Sequence, residues 1–137
     1  DGDVANALMT AIPLSGIDVL MGIGGSPEGV LAACALRTMG GNIQAKLYPR
    51  TSEELEQGKK MGYDVDRVLS IEDLVSSEDV FFAATGITTG DLLKGVDYFS
   101  EGAYTYSIVM RGLTGTVRRV DATHRLSKLA RLSGFEY

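Results

Sequence analysis

A glycine-rich turn between two predicted elements carries the residues best suited to chemistry. It reads Gly-Ile-Gly-Gly-Ser-Pro-Glu-Gly over residues 22–29. Glycines let the backbone approach a ligand closely, and a helix start offers unpaired N–H groups and the positive end of the helix dipole. We predict Ser26 as the N-cap, Pro27 as the first helical residue, and a helix to about Met39 that Gly40-Gly41 ends. The turn therefore predicts a site for an anion such as phosphate.

Glu28, at the second position of that helix, has two interpretations. Acidic residues stabilise a first helical turn by about 0.3–1 kcal/mol, and spacing alone favours this structural role. A carboxylate beside an anion site repels phosphate unless a cation lies between them, so a functional Glu28 would be a ligand of Mg²⁺ or Mn²⁺. The turn is not the dinucleotide fingerprint GxGxxG, because Pro27 takes its sixth position, nor a P-loop, because no Gly-Lys-Ser/Thr follows.

Four other groups of polar residues are weaker candidates. Asp1-Gly2-Asp3 suits sugar hydroxyls or a metal, but a turn and an N-cap explain the same residues and are favoured on this segment alone. Residues 85–91 follow a predicted strand, and ligands bind where parallel strands end. The sequence supports equally a role in the same site as the glycine turn and a role as an ordinary loop. His124 has no His or Cys beside it and is predicted to be a structural or surface residue. Arg50 and Arg111 are favoured as surface residues over phosphate partners.

The elements that must position these residues alternate between helix and strand. The predicted order is helix 4–12, buried strand 17–23, helix 26–39, strand 42–48, a capped helix from 51 to about 62, strand 67–70, a short helix begun by residues 70 and 73, buried strand 79–86, and a hairpin of 104–110 with 116–122. This order predicts an α/β fold with a layered mixed sheet and helices on both faces. With no repeat or linker visible, we predict one domain over residues 1–137.

Composition and charge narrow the classes of protein. The 137 residues are 45% hydrophobic and 23% charged, which is typical of a globular protein, and no apolar run nears the ~20 residues that span a bilayer. The net charge of −5 divides into about −9 for residues 1–110 and +4 for residues 111–137. The basic residues of the tail are scattered without aromatic partners, so we expect neither nucleic acid nor membrane as a partner. The lone Cys34, in an apolar stretch, indicates a buried thiol in a reducing, cytoplasmic setting.

Several segments together resemble the carboxyl-terminal half of class II (GlpX-type) fructose-1,6-bisphosphatases. They are DGDVA at 1–5, GIGGSPEGV at 22–30, LRTMGG with IQAKLYPR at 36–50, DVFFAATGITTGDLLKGV at 79–96 and YSIVMRGLTGTVRRVDATH at 106–124. The resemblance runs from Asp1 to about His124. Cyanobacterial members of this class also act on sedoheptulose-1,7-bisphosphate.

The resemblance implies a metal-dependent phosphatase that converts fructose-1,6-bisphosphate to fructose 6-phosphate and phosphate, in gluconeogenesis or the Calvin cycle. It implies the fold of the lithium-sensitive sugar phosphatases and a homo-oligomer. It assigns substrate contacts to Asp1, Gly2, Asp3 and Gly25, and an Mn²⁺ or Mg²⁺ ligand to Glu28. These assignments reverse the structural interpretations that spacing alone favours for Glu28 and for the Asp-Gly-Asp segment.

The remaining metal ligands of the family precede its Asp-Gly-Asp segment, so none of them can be placed here. We therefore expect the chain to be a fragment of a longer enzyme, with little or no activity alone, because one carboxylate cannot hold a catalytic ion. The alternative is a stand-alone, non-catalytic module that binds sugar phosphates. A nucleotide-binding domain is disfavoured by the failed glycine fingerprint.

Overall fold

The computed structural model describes residues 2–133. Within them lie five α-helices and six β-strands: α1 (Gly2–Met9), α2 (Ser26–Met39), β1 (Ala45–Lys46), α3 (Ser52–Lys60), β2 (Val68–Leu69), α4 (Ile71–Leu74), β3 (Phe81–Thr85), β4 (Asp97–Phe99), β5 (Gly102–Arg111), β6 (Thr116–Arg125) and α5 (Leu126–Ser133). None of these helices is long and apolar enough to cross a membrane.

The central helix, α2, ends where its sequence predicts and begins one residue earlier than predicted. Gly25 is its N-cap in an extended conformation, and Pro27 follows in the first turn, where its missing N–H costs no hydrogen bond. Gly40 ends the helix in the left-handed conformation, with φ 73°, which favours glycine. The N–H of Gly41 then donates to the carbonyl of Leu36 at 2.9 Å and closes the cap. Ser26 is the first helical residue and not the predicted N-cap, so Glu28 lies one position later than expected.

The strands form two antiparallel sheets. β1 and β2 make a two-stranded sheet, with Ala45 opposite Leu69. In the other sheet β5 pairs with β6 over its whole length, and with β3 and β4 over successive parts of its length. Because a strand has two edges and β6 occupies one of them completely, β3 and β4 share the other. The long hairpin of β5 and β6 confirms the predicted one.

The core lies on both sides of α2. On one side Ala33 and Leu36 pack with Ala7 of α1 and with Ile71 and Val75 around α4. The other side meets the four-stranded sheet through a second cluster of buried side chains: Leu8, Ala35, Phe82, Ile108 and Met110. Helix α2 is therefore the layer between α4 and the four-stranded sheet, and α1 contributes to both clusters.

One predicted element is wrong. Residues 17–23 form no strand, and their apolar side chains are exposed, reaching 73% for Val19 and 90% for Met21. A buried strand needs neighbours that accept its backbone hydrogen bonds and cover its faces. Among the described residues no strand pairs with this segment, so its apolar pattern lacks the surroundings that would make it a strand.

The predicted α/β class is confirmed, and its finer arrangement differs in three respects. Every strand pair within residues 2–133 is antiparallel, whereas a mixed sheet was expected. Helices α1 and α2 cover one face of the larger sheet, while Phe81 and Val120 on the opposite face are exposed. The strand predicted at 42–48 shrinks to β1, and β4 was not predicted, because three residues are too few for a visible alternation.

Candidate functional site

Two carboxylates flank the glycine turn that precedes α2. A Cβ placed on Gly24 would lie 3.4 Å from Asp3 Oδ2, and one placed on Gly25 would overlap Glu28 Oε2. Asp3 comes from the first turn of α1 and Glu28 from the first turn of α2. The packing of the two helix starts therefore places both carboxylates against one turn, and a side chain at position 25 would displace the Glu28 carboxylate from its present position.

The start of α2 has backbone donors available for an anion. No side chain caps this helix, and its first internal hydrogen bond runs from the Gly29 N–H to the Gly25 carbonyl at 3.0 Å. Ser26 and Gly25 are exposed, and Glu28 is half-buried. Exposed N–H groups at a helix start attract phosphate and carboxylate groups. The predicted anion site thus has suitable geometry, with carboxylates on either side for a bridging cation.

The other predicted site residues are only partly located. Asp1 lies outside the described residues, and Gly2 is exposed at the beginning of α1. Asp3 was predicted to be the N-cap of the first helix, but α1 begins at Gly2, so Asp3 lies within its first turn. Within residues 2–133 no group of three or more His, Cys, Asp or Glu side chains is placed to hold a metal ion. Carboxylate oxygens such as those of Glu28 suit Mg²⁺ or Mn²⁺, but Asp3 and Glu28 alone are too few to enclose such an ion.

The loop after β3 lies at the same end of the sheet as the turn. The end of α2 sits over the start of β3, because Thr38 contacts Met110 Sδ at 3.6 Å and Met110 pairs with Phe82. Helix α2 therefore runs opposite to β3 and begins near the end where β3 finishes. In agreement, Val4 at the start of α1 packs on the same core cluster as Leu92 and Leu93 of the loop.

Two glycines allow this loop, residues 86–95, to fold tightly on itself. A Cβ on Gly86 would overlap the Lys94 carbonyl, and one on Gly95 would meet the backbone at Thr88 and Thr89 at 2.6–2.7 Å. The Gly95 N–H donates to Thr89 Oγ1 at 3.0 Å, which braces the turn. Gly86, Thr89 and Gly95 therefore have structural roles in this loop.

An open depression of about 290 Å³ lies between this loop and the sheet, lined by residues 90–94, Tyr106, Ser107, Arg119 and Asp121. Lys94 Nζ lies 5.3 Å from the centre of the Tyr106 ring, and the Tyr106 hydroxyl donates to Asp97 Oδ2 at 3.3 Å. Burial, together with the Asp97 carboxylate, raises the pKa of the Tyr106 hydroxyl, which therefore stays protonated at neutral pH. Residues 90 and 91 belong to the segment 85–91 singled out from the sequence, whereas Lys94, Tyr106, Arg119 and Asp121 were not predicted, because they are far apart in the sequence.

The weaker sequence candidates have structural roles. Arg111 donates from Nε and Nη2 to the two oxygens of Asp79 at 2.9 and 3.0 Å, and its guanidinium lies 5.0 Å from the centre of the Phe81 ring. This pair is at the start of β3, away from the glycine turn. His124 Nε2 lies 2.8 Å from Thr105 Oγ1 on the neighbouring strand, as expected for a structural histidine.

An anion site at a helix start, flanked by carboxylates on an α/β scaffold, is typical of proteins that bind phosphorylated ligands. Residues 1–124 match the family described as bacterial fructose-1,6-bisphosphatase, glpX-encoded. The chain belongs to this family. The match extends over the glycine turn, the loop of residues 86–95 and the β5–β6 hairpin, and it confirms the resemblance inferred from the sequence segments.

Curated relatives carry the same description. The chain is 41% identical over 145 aligned residues to the class 2 fructose-1,6-bisphosphatase of Haemophilus influenzae, an alignment that covers 96% of this chain and 44% of the relative. It is 38% identical over 141 residues to fructose-1,6-bisphosphatase 1 class 2 of Escherichia coli, covering 93% of this chain and 42% of the relative. The chain thus spans less than half the length of the curated relatives it matches.

Proposed function

We propose that this chain forms part of a metal-dependent sugar-bisphosphate phosphatase that releases phosphate from fructose-1,6-bisphosphate. The observation that carries the proposal is the convergence of Asp3, Gly25 and Glu28 on one glycine turn at a helix start, in a chain of the fructose-1,6-bisphosphatase family. Phosphoryl transfer depends on positioning and charge neutralisation, and this turn offers backbone donors for a phosphate beside a carboxylate for a cation.

Each residue has a distinct role in this proposal. The Asp3 carboxylate accepts hydrogen bonds from sugar hydroxyls, and the N–H groups at the start of α2 bind and orient a phosphate. The absence of a Cβ at Gly25 lets substrate and the Glu28 carboxylate approach the same point. Glu28 holds one divalent cation, Mn²⁺ or Mg²⁺, which when bound neutralises phosphate charge and lowers the pKa of water. Gly2 and Asp1 extend the substrate contacts.

The isolated chain is proposed to be inactive because the described residues supply too few metal ligands. It would correspond to the carboxyl-terminal half of a longer enzyme as one α/β domain, consistent with its covering 42–44% of the relatives. The expected cytoplasmic location, the lithium-sensitive phosphatase fold and the homo-oligomeric state of the complete protein stay predictions.

A chimera tests both parts of the proposal. The chain replaces its matching segment in the Haemophilus influenzae relative, and phosphate release from fructose-1,6-bisphosphate is measured with Mn²⁺. We expect activity from the chimera and none from the 137-residue chain alone. Activity of the isolated chain would contradict the proposal that it lacks metal ligands. Tight calorimetric binding of the sugar bisphosphate to the isolated chain without metal would favour the non-catalytic module instead.

Glu28 has a matched control in the same chimera. Glu28→Gln should lower phosphate release more than about 100-fold, because loss of outer-sphere partners of a metal alone costs about 10–100-fold. Glu53→Gln changes another acidic residue in a first helical turn, that of α3, which has no glycine turn before it. It should leave the rate unchanged. Equal effects of the two substitutions would assign Glu28 a helix-stabilising role only.

A further inference from the structure

The outer edge of β6 has no partner strand within residues 2–133. β5 and β6 pair through ten consecutive residues without a bulge, and no proline interrupts β6. Within residues 2–133 no other strand pairs with β6, and most of its residues are exposed. A long, regular edge strand is a template for pairing with another chain.

The hydrogen-bond pattern identifies which residues of β6 point their backbone groups outward. The Gly86 N–H donates to Tyr106 and the Gly112 N–H to Val80, so even-numbered residues of β5 bond to β3. Odd-numbered residues of β5 therefore bond to even-numbered residues of β6, in agreement with the Leu126 N–H donating to Glu101. Since bonded residues alternate along a strand, the outward-facing groups belong to the odd-numbered residues of β6: Val117, Arg119, Asp121, Thr123 and Arg125.

Symmetry limits how two copies can pair along this edge. Antiparallel pairing of identical strands places a two-fold axis perpendicular to the sheet, so one residue must lie opposite itself. Centring on Arg119 sets two guanidinium groups opposite each other, and centring on Asp121 sets two carboxylates opposite each other. Like charges directly opposite destabilise a strand pair.

Centring on Val120 gives a fully complementary register. Arg119 of each copy then faces Asp121 of the other, which makes two opposite-charge pairs, and Val117 faces Thr123. All of these pairs use outward-facing backbone groups, so their N–H and C=O groups are free to bond across the axis. Neither Arg119 nor Asp121 forms an ion pair within residues 2–133. The edge is thus complementary to itself in charge and in backbone bonding.

We propose that two copies of this chain associate through antiparallel β6–β6 pairing centred on Val120. The pairing joins two four-stranded sheets into one continuous sheet and brings the two depressions lined by Arg119 and Asp121 to the dimer interface. This proposal concerns assembly and does not rest on the proposed phosphatase activity. It is measured without any assay of catalysis, so either proposal can fail without the other.

Charge reversal on the full 137-residue chain tests the register. Arg119→Asp and Asp121→Arg each replace two attractive pairs with two like-charge pairs, so each should weaken dimerisation at least about tenfold in sedimentation velocity. The double variant carrying both substitutions restores opposite charges at both positions and should regain the wild-type dimer. Circular dichroism checks that each variant is folded. A monomeric wild type, or a double variant as weak as the single ones, would overturn the proposal.

Cysteine cross-linking provides a measurement that does not depend on the charges. Val120 and its copy form a non-hydrogen-bonded pair with Cα atoms about 4.5 Å apart, within the range for a disulfide. Val120→Cys should therefore link two chains under mild oxidation. In Val117→Cys the two cysteines are six residues out of register, about 20 Å apart, and should not link. Peptide mapping separates these links from any through Cys34. Equal linking of the two variants would indicate non-specific association and refute the register.

Discussion

The missing side chain of Gly25 has a direct effect on the position of the Glu28 carboxylate. Its backbone, with φ −69° and ψ 149°, is open to any residue, so conformation alone does not require glycine there. The consequence of a larger residue is local, because its Cβ would overlap the Glu28 carboxylate and move it away from the turn. A carboxylate held against the backbone at a helix start is also close to any phosphate bound there, which connects the packing of one glycine to the proposed chemistry.

Gly25→Ala should separate these effects, with Gly29→Ala as the control. A Cβ at Gly29 meets nothing within 4 Å, so alanine should stabilise α2 by about 0.5–1 kcal/mol through its higher helix propensity. Gly25→Ala should instead lose up to about 1 kcal/mol as a poorer N-cap and displace the Glu28 side chain. Urea unfolding measures both changes. In the chimera only Gly25→Ala should reduce phosphate release; equal loss in both variants would contradict the assigned role.

The pair of Arg111 and Asp79 predicts a pH dependence of stability. The bidentate hydrogen bonds from Arg111 lower the pKa of the Asp79 carboxyl below its ordinary value of 3.8. A lowered pKa in the folded state means that the pair stabilises the fold above the unfolded-state pKa, and that this contribution disappears as pH falls through the folded-state pKa. Asp79→Asn should therefore be less stable than wild type at neutral pH, with the difference vanishing in strong acid.

Urea unfolding between neutral pH and pH of about 2 measures this difference. Asp18→Asn serves as the control, because Asp18 is exposed and forms no ion pair within residues 2–133. If both variants differ from wild type by the same amount at every pH, the Arg111 pair does not stabilise the fold.

At the scale of elements, the stability of α3 depends strongly on its N-terminal cap. It has no buried residue, so packing contributes little to its stability. Thr51 Oγ1 accepts the Glu54 N–H at 3.2 Å, and Glu54 Oε2 accepts the Arg50 N–H at 2.7 Å. The predicted capping box is therefore present in modified form, with the glutamate reaching one residue further back than expected.

Thr51→Ala should cost about 1 kcal/mol, because it leaves an N–H at the helix start without an acceptor. The loss should be local, since a helix without buried contacts can open while the core stays folded. Hydrogen exchange in residues 52–60 should accelerate, with exchange in β5 unchanged. Thr51→Ser keeps the hydroxyl and should restore slow exchange. Faster exchange throughout the protein would show that α3 is part of the cooperative core.

At the scale of the whole molecule, many large apolar side chains are exposed to solvent and not packed in the core. Leu14, Met21 and Ile23 lie along an exposed segment, and Phe81 is exposed on the uncovered sheet face. Large exposed apolar surfaces mark sites of contact with another protein segment, a ligand or a membrane. The relatives are more than twice as long as the chain, so the segment of a family member that this chain does not span is a suitable partner for these surfaces.

Limited digestion with chymotrypsin should cut first within residues 14–23, after Leu14, Leu20 or Met21. These side chains are exposed and their backbone lies outside helices and strands, whereas β5 is held on both edges. Mass spectrometry of the early fragments identifies the cuts. In the chimera the same bonds should resist the protease. A first cut inside the β5–β6 hairpin, or equal cleavage in the chimera, would contradict this view of the surface.

Much of the secondary structure could be predicted from residues that lie close together in the sequence. Gly40 could be placed as the end of α2, Ser70 and Asp73 as a capping box, and the two arms of the β5–β6 hairpin as strands, because each depends on residues close along the chain. The family was also visible, since its distinctive segments are contiguous. The role of Glu28 was not decided by spacing, because a first-turn glutamate and a metal ligand look alike.

Only the tertiary structure decided which distant residues meet. The approach of Asp3 to Gly24, the antiparallel pairing throughout, and the depression beside the loop of residues 86–95 all depend on how α1, α2 and the sheet pack. The apolar run of residues 17–23 shows the limit most clearly. Its pattern is that of a buried strand. A buried strand forms only where a neighbouring strand accepts its backbone hydrogen bonds and other elements cover its apolar side chains. These contacts come from residues far away in the sequence, so the local pattern cannot predict them.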